Sequence, residues 1–267
     1  MAFYGSSFSF DGVSCKDFNL MLYGFGNEQQ DDVEFASSVS VVEEVVGQHW
    51  RPHFLGVKFD KKLTFKLVFG VDECRIERHE YLSRQEIDDI ASWLTGHQTY
   101  KYLEIEQEDL EHVRYKCMVS DLTLITHGQE PWAMSATITC DGAYAYTYPK
   151  TFSYTINGNR DISFYNESSY NGYYRPIVRI ESNTGSAFSI ANISDGGRVT
   201  ELIDIPEGLS EIIIDMDRGT ITSNSNVNLY EHFNFRFLKL KRGYNKLRVT
   251  GNCVLKIQCE FPVNTGG

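Results

Sequence analysis

The side chains that could do chemistry in this chain are mostly carboxylates. They occur as three adjacent pairs, Asp31-Asp32, Glu43-Glu44 and Asp88-Asp89. Glycoside hydrolysis needs two carboxyl groups flanking one bond. Adjacent residues of a strand point to opposite faces, so Glu43 and Glu44 cannot form that dyad by themselves. The run Asp215-Met216-Asp217-Arg218-Gly219 opens like a calcium loop but lacks the remaining ligands and the distal Glu. It reads as a tight turn between strands. There is no G-x-S-x-G, H-E-x-x-H or P-loop, and the histidines are scattered. The six cysteines, Cys15, Cys74, Cys117, Cys140, Cys253 and Cys259, form no C-x-x-C and do not pair with His at zinc-finger spacing. They read as reduced thiols of a chain that folds in cytosol. The expectation is no enzyme, no cofactor and no metal.

One polar pattern points to binding rather than catalysis. His232-Phe233-Asn234-Phe235-Arg236 resembles the sugar-contacting His-x-Asn-x-Arg strand of galectins. Alternation along a strand would place His232, Asn234 and Arg236 on one face. Galectins also stack the sugar on a Trp. Here Trp50, Trp93 and Trp132 all lie in the first half. The bland reading is a strand over residues 233–240 with Phe233, Phe235 and Phe237 in the core, and no binding of simple sugars.

The elements that must position these residues are nearly all strands. Residues 83–96 carry the one convincing helix. Ser83 and Glu86 have capping-box spacing, and Ile87, Ile90, Ala91 and Leu94 form one apolar stripe. Asp88 and Asp89 sit near the N-terminal end, where the helix dipole favours negative charge. Gly96 is placed for a left-handed C-cap, and Trp93 for sealing the helix against a sheet. Phe8 and Phe10 alternate up to Asp11-Gly12, a strong hairpin-turn signal. Phe18, Leu20 and Leu22 alternate after it. A strand over residues 39–46 ends at Gly47. Residues 57–69 alternate as a long strand or hairpin. After the helix come a strand to Glu106, an acidic loop over residues 107–111, and strands at 113–119, 122–126 and 134–140. In the second half, turn signals at Asn157-Gly158-Asn159, Asn171-Gly172, Glu207-Gly208, Asp217-Arg218-Gly219 and Arg242-Gly243 are spaced as in a β-sandwich. They separate strand-like runs that include 152–156, 211–215, 246–250 and 254–261.

The chain has 267 residues and a formal net charge of −11. That balance argues against a nucleic-acid binder, which shows a basic patch. The charge is uneven. Residues 1–148 hold 12 Lys and Arg against 24 Asp and Glu, a balance of −12, while residues 149–267 balance at +1. The segment MAFYGSSFSFDG lacks the basic and apolar regions of a signal peptide. No stretch approaches the roughly 18 apolar residues of a membrane span.

Taken in order, these features resemble the distal tail protein (Dit) of long, non-contractile-tailed (siphovirus) bacteriophages. The likeness rests on Phe8-Ser9-Phe10-Asp11-Gly12-Val13-Ser14 with Asp17-Phe18, and on the helix ending Ala91-Ser92-Trp93-Leu94. It rests also on Ala136-Thr137-Ile138-Thr139-Cys140-Asp141 followed by Ala143-Tyr144-Ala145-Tyr146. In the second half Arg175-Pro176, Ile213-Ile214-Asp215 and Leu240-x-x-Gly243-x-Asn245 carry it. Asn19 departs from the pattern, where relatives often have Gly.

The resemblance implies a mostly β chain: an N-terminal β-sandwich or split-barrel domain carrying one α-helix (residues 1–148), and a galectin-like β-sandwich (residues 149–267). It implies a structural protein of the virion tail tip, assembled in the host bacterial cytoplasm. The first domain would close a homohexameric hub ring. The ring would join the tail tube protein to a tail-associated tip protein, and to a receptor-binding protein, without a membrane. DNA would only pass through. The expected ring patches are the hairpin around Phe8, Phe10 and Phe18, and a hairpin over residues 57–69 with Phe59 and Phe65. Residues 27–38 would act as a belt. Glu106, Glu108, Asp109 and Glu111 are the expected channel wall, where negative charge would keep DNA from sticking. The rival class is a carbohydrate-binding adhesin or receptor-binding module using His232, Asn234 and Arg236.

Overall fold

The computed structural model describes residues 5–26, 39–47, 50–59, 62–72 and 81–264. The pair Asp31-Asp32, the expected belt and Cys74 lie outside them. The chain divides into two compact units, Met1–Tyr146 with Asn264–Gly267, and Thr147–Val263. No described helix is long and apolar enough to cross a membrane.

The first unit contains β1 (Ser7–Phe10), β2 (Val13–Ser14), β3 (Leu20–Gly26), β4 (Val39–Glu44), β5 (His53–Phe59) and β6 (Thr64–Val71). The helix α1 (Arg84–Thr95) follows, then β7 (Lys101–Glu106), β8 (Val113–His127), β9 (Glu130–Cys140) and β10 (Ala145–Thr147). One sheet runs in the order β2-β1-β7-β8-β9-β6-β3, with β10 against β8. Strands β4 and β5 stand apart as a two-stranded sheet. The hairpin expected over residues 57–69 therefore does not form. β5 pairs with β4, while β6 joins the main sheet between β9 and β3.

Local chemistry explains the turns. Asp11 (φ 53°) and Gly12 (φ 80°) are both left-handed, as a two-residue hairpin turn requires, and put Phe10 opposite Val13. Phe18 does not begin a strand as its alternation predicts. It closes a 3-10 turn, Cys15–Phe18, whose entry is fixed by a Ser14–Asp17 capping box. The turn ends on Asn19 at φ 56° and ψ 39°. Glycine suits that left-handed position, and Asn is among the few other residues that visit it routinely. Strand β8 is continuous where two strands were expected, because a bulge at Ser120 absorbs the break between Val119 and Asp121.

Helix α1 carries both halves of its capping box, Glu86 N–H to Ser83 Oγ at 3.3 Å and Ser83 N–H to Glu86 Oε2 at 2.8 Å. Ile90 and Leu94 are buried. Gly96 is not left-handed. It sits at φ −71° and donates its N–H to Ser92 O, and a Cβ there would meet that oxygen at 2.5 Å. Trp93 pins the helix: its ring stacks on Phe18 at 4.7 Å and Phe8 at 5.7 Å, and its Nε1 donates to Phe10 O at 3.1 Å.

The second unit contains β11 (Lys150–Asn166), β12 (Ile177–Glu181), β13 (Phe188–Asn192), β14 (Val199–Leu202), β15 (Glu211–Asp215), β16 (Thr220–Ser223) and β17 (Gly243–Cys259). Its sheet order is β14-β13-β17-β12-β15-β16, with β11 along β17. The turn expected at Asn157-Gly158-Asn159 is absent. β11 runs straight through it, paired with β17 for the full 17 residues, and Gly158 faces Gly251. The two strands expected at 246–250 and 254–261 are likewise one. Across Gly251, β17 changes its second partner from β13 (Thr250 with Ser189) to β12 (Val254 with Glu181). The ladder thus bends from one layer of the sandwich into the other, as corner strands do. A single core including Ile156, Ile180, Leu202, Ile214, Leu247 and Leu255 fills the space. Asp215 to Gly219 is a tight turn, with Asp215 Oδ1 accepting the N–H groups of Asp217 and Arg218 at 3.0 and 2.9 Å.

Truncating the ring that pins α1 should be felt locally. Trp93→Ala is expected to cost about 3 kcal/mol, the low end of the range for truncating a core Phe or Trp, because the ring is only partly buried. Hydrogen exchange read by mass spectrometry should quicken over residues 84–95 and stay unchanged over β11 and β17. Unchanged exchange in the helix would refute the anchoring role.

Candidate functional site

The five aromatic residues expected at a ring interface occupy different environments. Phe8 and Phe10 are 1% exposed, so their rings belong to the core. Phe8 packs on Phe69 at 5.1 Å as well as on Trp93. Both edges of β1 are occupied, by β2 and β7. Phe18 is half-buried in the Trp93 stack, and Phe65 is half-buried, edge-on to Tyr115 at 5.0 Å. Only Phe59 is exposed, with its ring 5.7 Å from Tyr144.

The surface that does offer apolar contact is the β4–β5 ribbon to which Phe59 belongs. Val41, Val42, Phe54, Leu55 and Val57 are exposed on its two strands, and Val45, Val46 and Trp50 on the connection. Phe54 is 64% exposed and Trp50 84%. The register puts Val41 opposite Val57 and, past a bulge at Leu55, Phe54 opposite Glu43, all on one face, while Ser40, Lys58, Glu44 and His53 share the other face with Val42. The ribbon therefore has one largely apolar, exposed face. A two-stranded sheet is at best marginal alone in water, and an exposed patch of this kind marks an interaction surface. Of the residues expected at a ring interface, Phe59 lies on this ribbon, while Phe8, Phe10, Phe18 and Phe65 do not.

The acidic loop is only partly free charge. Glu106 ends β7 with its carboxylate 2.5 Å from Lys16 Nζ and accepting the Ser7 hydroxyl. The Lys16 bond first, and then the Ser7 bond, hold its carboxyl below the usual range. Glu108, Asp109 and Glu111 are exposed around a 3-10 turn whose Leu110 is buried. Asp109 accepts from the Gln107 amide.

The expected sugar face is not assembled. Residues 233–240 form no regular strand, because Phe235 adopts φ 55° and turns its ring out to 61% exposure. His232 Nδ1 lies 3.1 Å from Ile203 O, and Asn234 Nδ2 donates to Val199 O at 3.0 Å. Both side chains are engaged by backbone. Asn234 Oδ1 also accepts the Arg236 N–H at 3.1 Å, and the Arg236 side chain is exposed.

The described thiols Cys15, Cys117, Cys140, Cys253 and Cys259 are buried and unbonded to one another. Burial pushes the Cys140 and Cys259 thiols up to about 12 and Cys253 to about 11. Burial also raises Cys15 and Cys117.

Residues 3–142 match the phage tail protein N-terminal domain family, and residues 144–259 match the phage tail C-terminal domain family. The chain belongs to this family of phage tail proteins. Its fold is that of the distal tail protein: the crystal structure of SPP1 Dit (gp 19.1) superposes with a TM-score of 0.66 at 10% identity, covering 96% of this chain and 98% of that one. That protein is described as a paradigm of the hub adsorption apparatus in phages infecting Gram-positive bacteria. No curated protein matches the chain.

Two measurements check the electrostatics and the thiols. Glu106 has a depressed folded pKa, so its contribution is present above the unfolded carboxylate value and lost as pH falls through the folded one. Its side chain is 60% exposed, and water screens the pair. Glu106→Gln should therefore cost less than ~1 kcal/mol at pH 7, and the two proteins should converge in thermal unfolding as pH falls through the depressed folded value. A thiol reagent at pH 8 should leave the five described cysteines unlabelled in native protein and label all five in guanidinium, as read by peptide mass mapping. Native labelling of any of them would contradict the packing.

Proposed function

We infer that this chain is the hub subunit of a siphophage tail tip, closing a homohexameric ring between the tail tube protein and a tail-associated tip protein. The observation that carries this reading is the extent of the likeness to Dit. It spans both domains and nearly the full length of both chains, and the family assignment is independently to phage tail proteins. The role is structural and non-hydrolytic. Assembly in the host bacterial cytoplasm accords with buried thiols left unpaired.

The ring face we assign is the β4–β5 ribbon, with Phe59 as the member already named from sequence. A cyclic ring uses a heterologous interface, in which one patch meets a different patch on the next copy. A ribbon with an exposed apolar face suits that, since a different patch of the next copy can cover it. Glu108, Asp109 and Glu111 remain the channel-wall residues. Glu106 contributes less, its charge being balanced by Lys16. The first domain should close the ring without the second. A galectin-type sugar face at His232, Asn234 and Arg236 is disfavoured, since the His232 and Asn234 side chains are held by backbone carbonyls.

Light scattering after size exclusion should give about 184 kDa for six copies of 30.6 kDa. Electron-microscope class averages should be six-fold. Phe54→Asp with Val57→Asp should yield a folded monomer, because two buried charges at an apolar interface cost more than it gains. Wild-type monomers persisting at tens of micromolar with no rings in the images would overturn the hub reading. Rings that survive the double substitution would move the interface elsewhere.

A further inference from the structure

The second unit carries a groove that ring assembly does not use. Two adjoining clefts, of about 280 and about 210 Å³, share Arg198, Phe237 and Lys239. The larger is also lined by Arg175, Arg218, Arg236 and Phe235, with Asp217 as the single carboxylate among its lining residues. Tyr173 and Asp195 extend the smaller one. The Asp195 carboxylate is already engaged by Lys241 at 2.9 Å and the Tyr173 hydroxyl at 3.0 Å.

Most of this positive charge is unmatched. Arg175 lies 3.9 Å from Asp217, and Arg218 lies 3.7 Å from Asp215. Among the described residues, the guanidinium groups of Arg198 and Arg236 make no hydrogen bond or ion pair. Lys239 has only the Tyr173 ring, at 5.4 Å. A cleft lined by one sign of charge focuses its field on whatever enters it. The chain as a whole is at −11, so the groove is a local reversal of charge.

The backbone is bent to build it. In a regular strand Phe235 and Phe237 would face away from Arg236. Here all three consecutive residues line the same cleft. The cause is the left-handed Phe235 (φ 55°), held by the Asn234 side chain on the Arg236 N–H. A bulky aromatic residue in that region is an outlier, and such outliers cluster at binding sites.

We propose that this groove binds a polyol or glycan polymer linked by phosphodiesters. The cations enter from four separate segments, at Arg175, Arg198, Arg218 and Arg236 with Lys239. They surround a volume instead of lying along one edge. A tetrahedral phosphate accepts bonds from several directions, whereas a planar carboxylate presents one edge to a guanidinium fork. Two joined clefts with Arg198 and Lys239 at their junction suit charges repeated along a polymer. The exposed rings of Phe235 and Tyr173 offer apolar faces to the C–H surface of a sugar or polyol.

The test is titration calorimetry of the full chain with poly(glycerol phosphate), neutral dextran, a single-stranded oligonucleotide and poly-aspartate. Poly(glycerol phosphate) should bind and dextran should not. Raising salt from 50 to 200 mM should weaken binding roughly tenfold to a hundredfold, from the release of a few counterions. Arg198→Ala with Arg236→Ala should weaken it at least tenfold with circular dichroism unchanged. Lys66→Ala with Arg84→Ala, removing the same charge from the other unit, should not. No binding, equal binding by the groove variant, or equal or tighter binding of the oligonucleotide or poly-aspartate would overturn the proposal. Binding should persist in the Phe54→Asp, Val57→Asp protein, so failure of the ring and failure of the groove are separable.

Discussion

In the second unit everything depends on one ladder, the antiparallel pairing of β11 with β17 over 17 residues. Buried backbone N–H and C=O groups must be paired, and a central strand must pair on both edges. β17 satisfies one edge with β11 throughout and the other with β13 and then β12. No straight strand could meet both of those partners in two packed layers. The bend falls where Gly158 opposes Gly251, which sits at φ 154°. A Cβ on Gly251 would stand 3.3 Å from the Phe188 ring, so glycine serves both the conformation and the close approach.

The same glycines explain why the sequence misled. Asn157-Gly158-Asn159 and Gly251-Asn252 have the composition of a turn, and a turn and a ladder bend make the same demand for unusual φ. Only the distant partner distinguishes them, and that pairing is non-local. Where the determinants are local, the sequence was legible. Asp11-Gly12, the Ser83–Glu86 box and the turn after Asp215 fold as their spacing predicts. Gly96 differs from its expected left-handed cap: at φ −71° it continues the helical turn with an ordinary bond from its N–H to Ser92 O. At the candidate site, alternation singled out Phe8, Phe10 and Phe65. Phe8 and Phe10 lie on a face buried within the subunit. Val57 and Phe59 alternate in the same way yet are exposed, so alternation alone does not tell a face buried within the subunit from one left open. The His232–Arg236 pattern misled for a third reason: period-two chemistry was present, but Phe235 flips the backbone out of period.

The first unit shows how one indole replaces many contacts. Trp93 joins α1 to the tip of β1 and to the 3-10 turn before β3 by ring stacking and one hydrogen bond. A helix of 12 residues has little intrinsic stability in water. Docking through a large aromatic fixes its position without lengthening it. The β4–β5 ribbon is the opposite case, a two-stranded sheet separate from the main one, with Phe59 edge-on to Tyr144 and Val57, Phe54 and Trp50 exposed.

The ladder also brings the two ends of the second unit side by side, since Lys150 pairs with Cys259. Tension applied through those ends would open hydrogen bonds one pair at a time from that end, like a zipper, and not load the whole ladder in shear. Tension entering at the far end, near Asn166 and Gly243, and leaving at one of the near ends would load many pairs together. The unit is therefore mechanically anisotropic. Its resistance to force is set by where on its surface a load is attached, more than by its equilibrium stability.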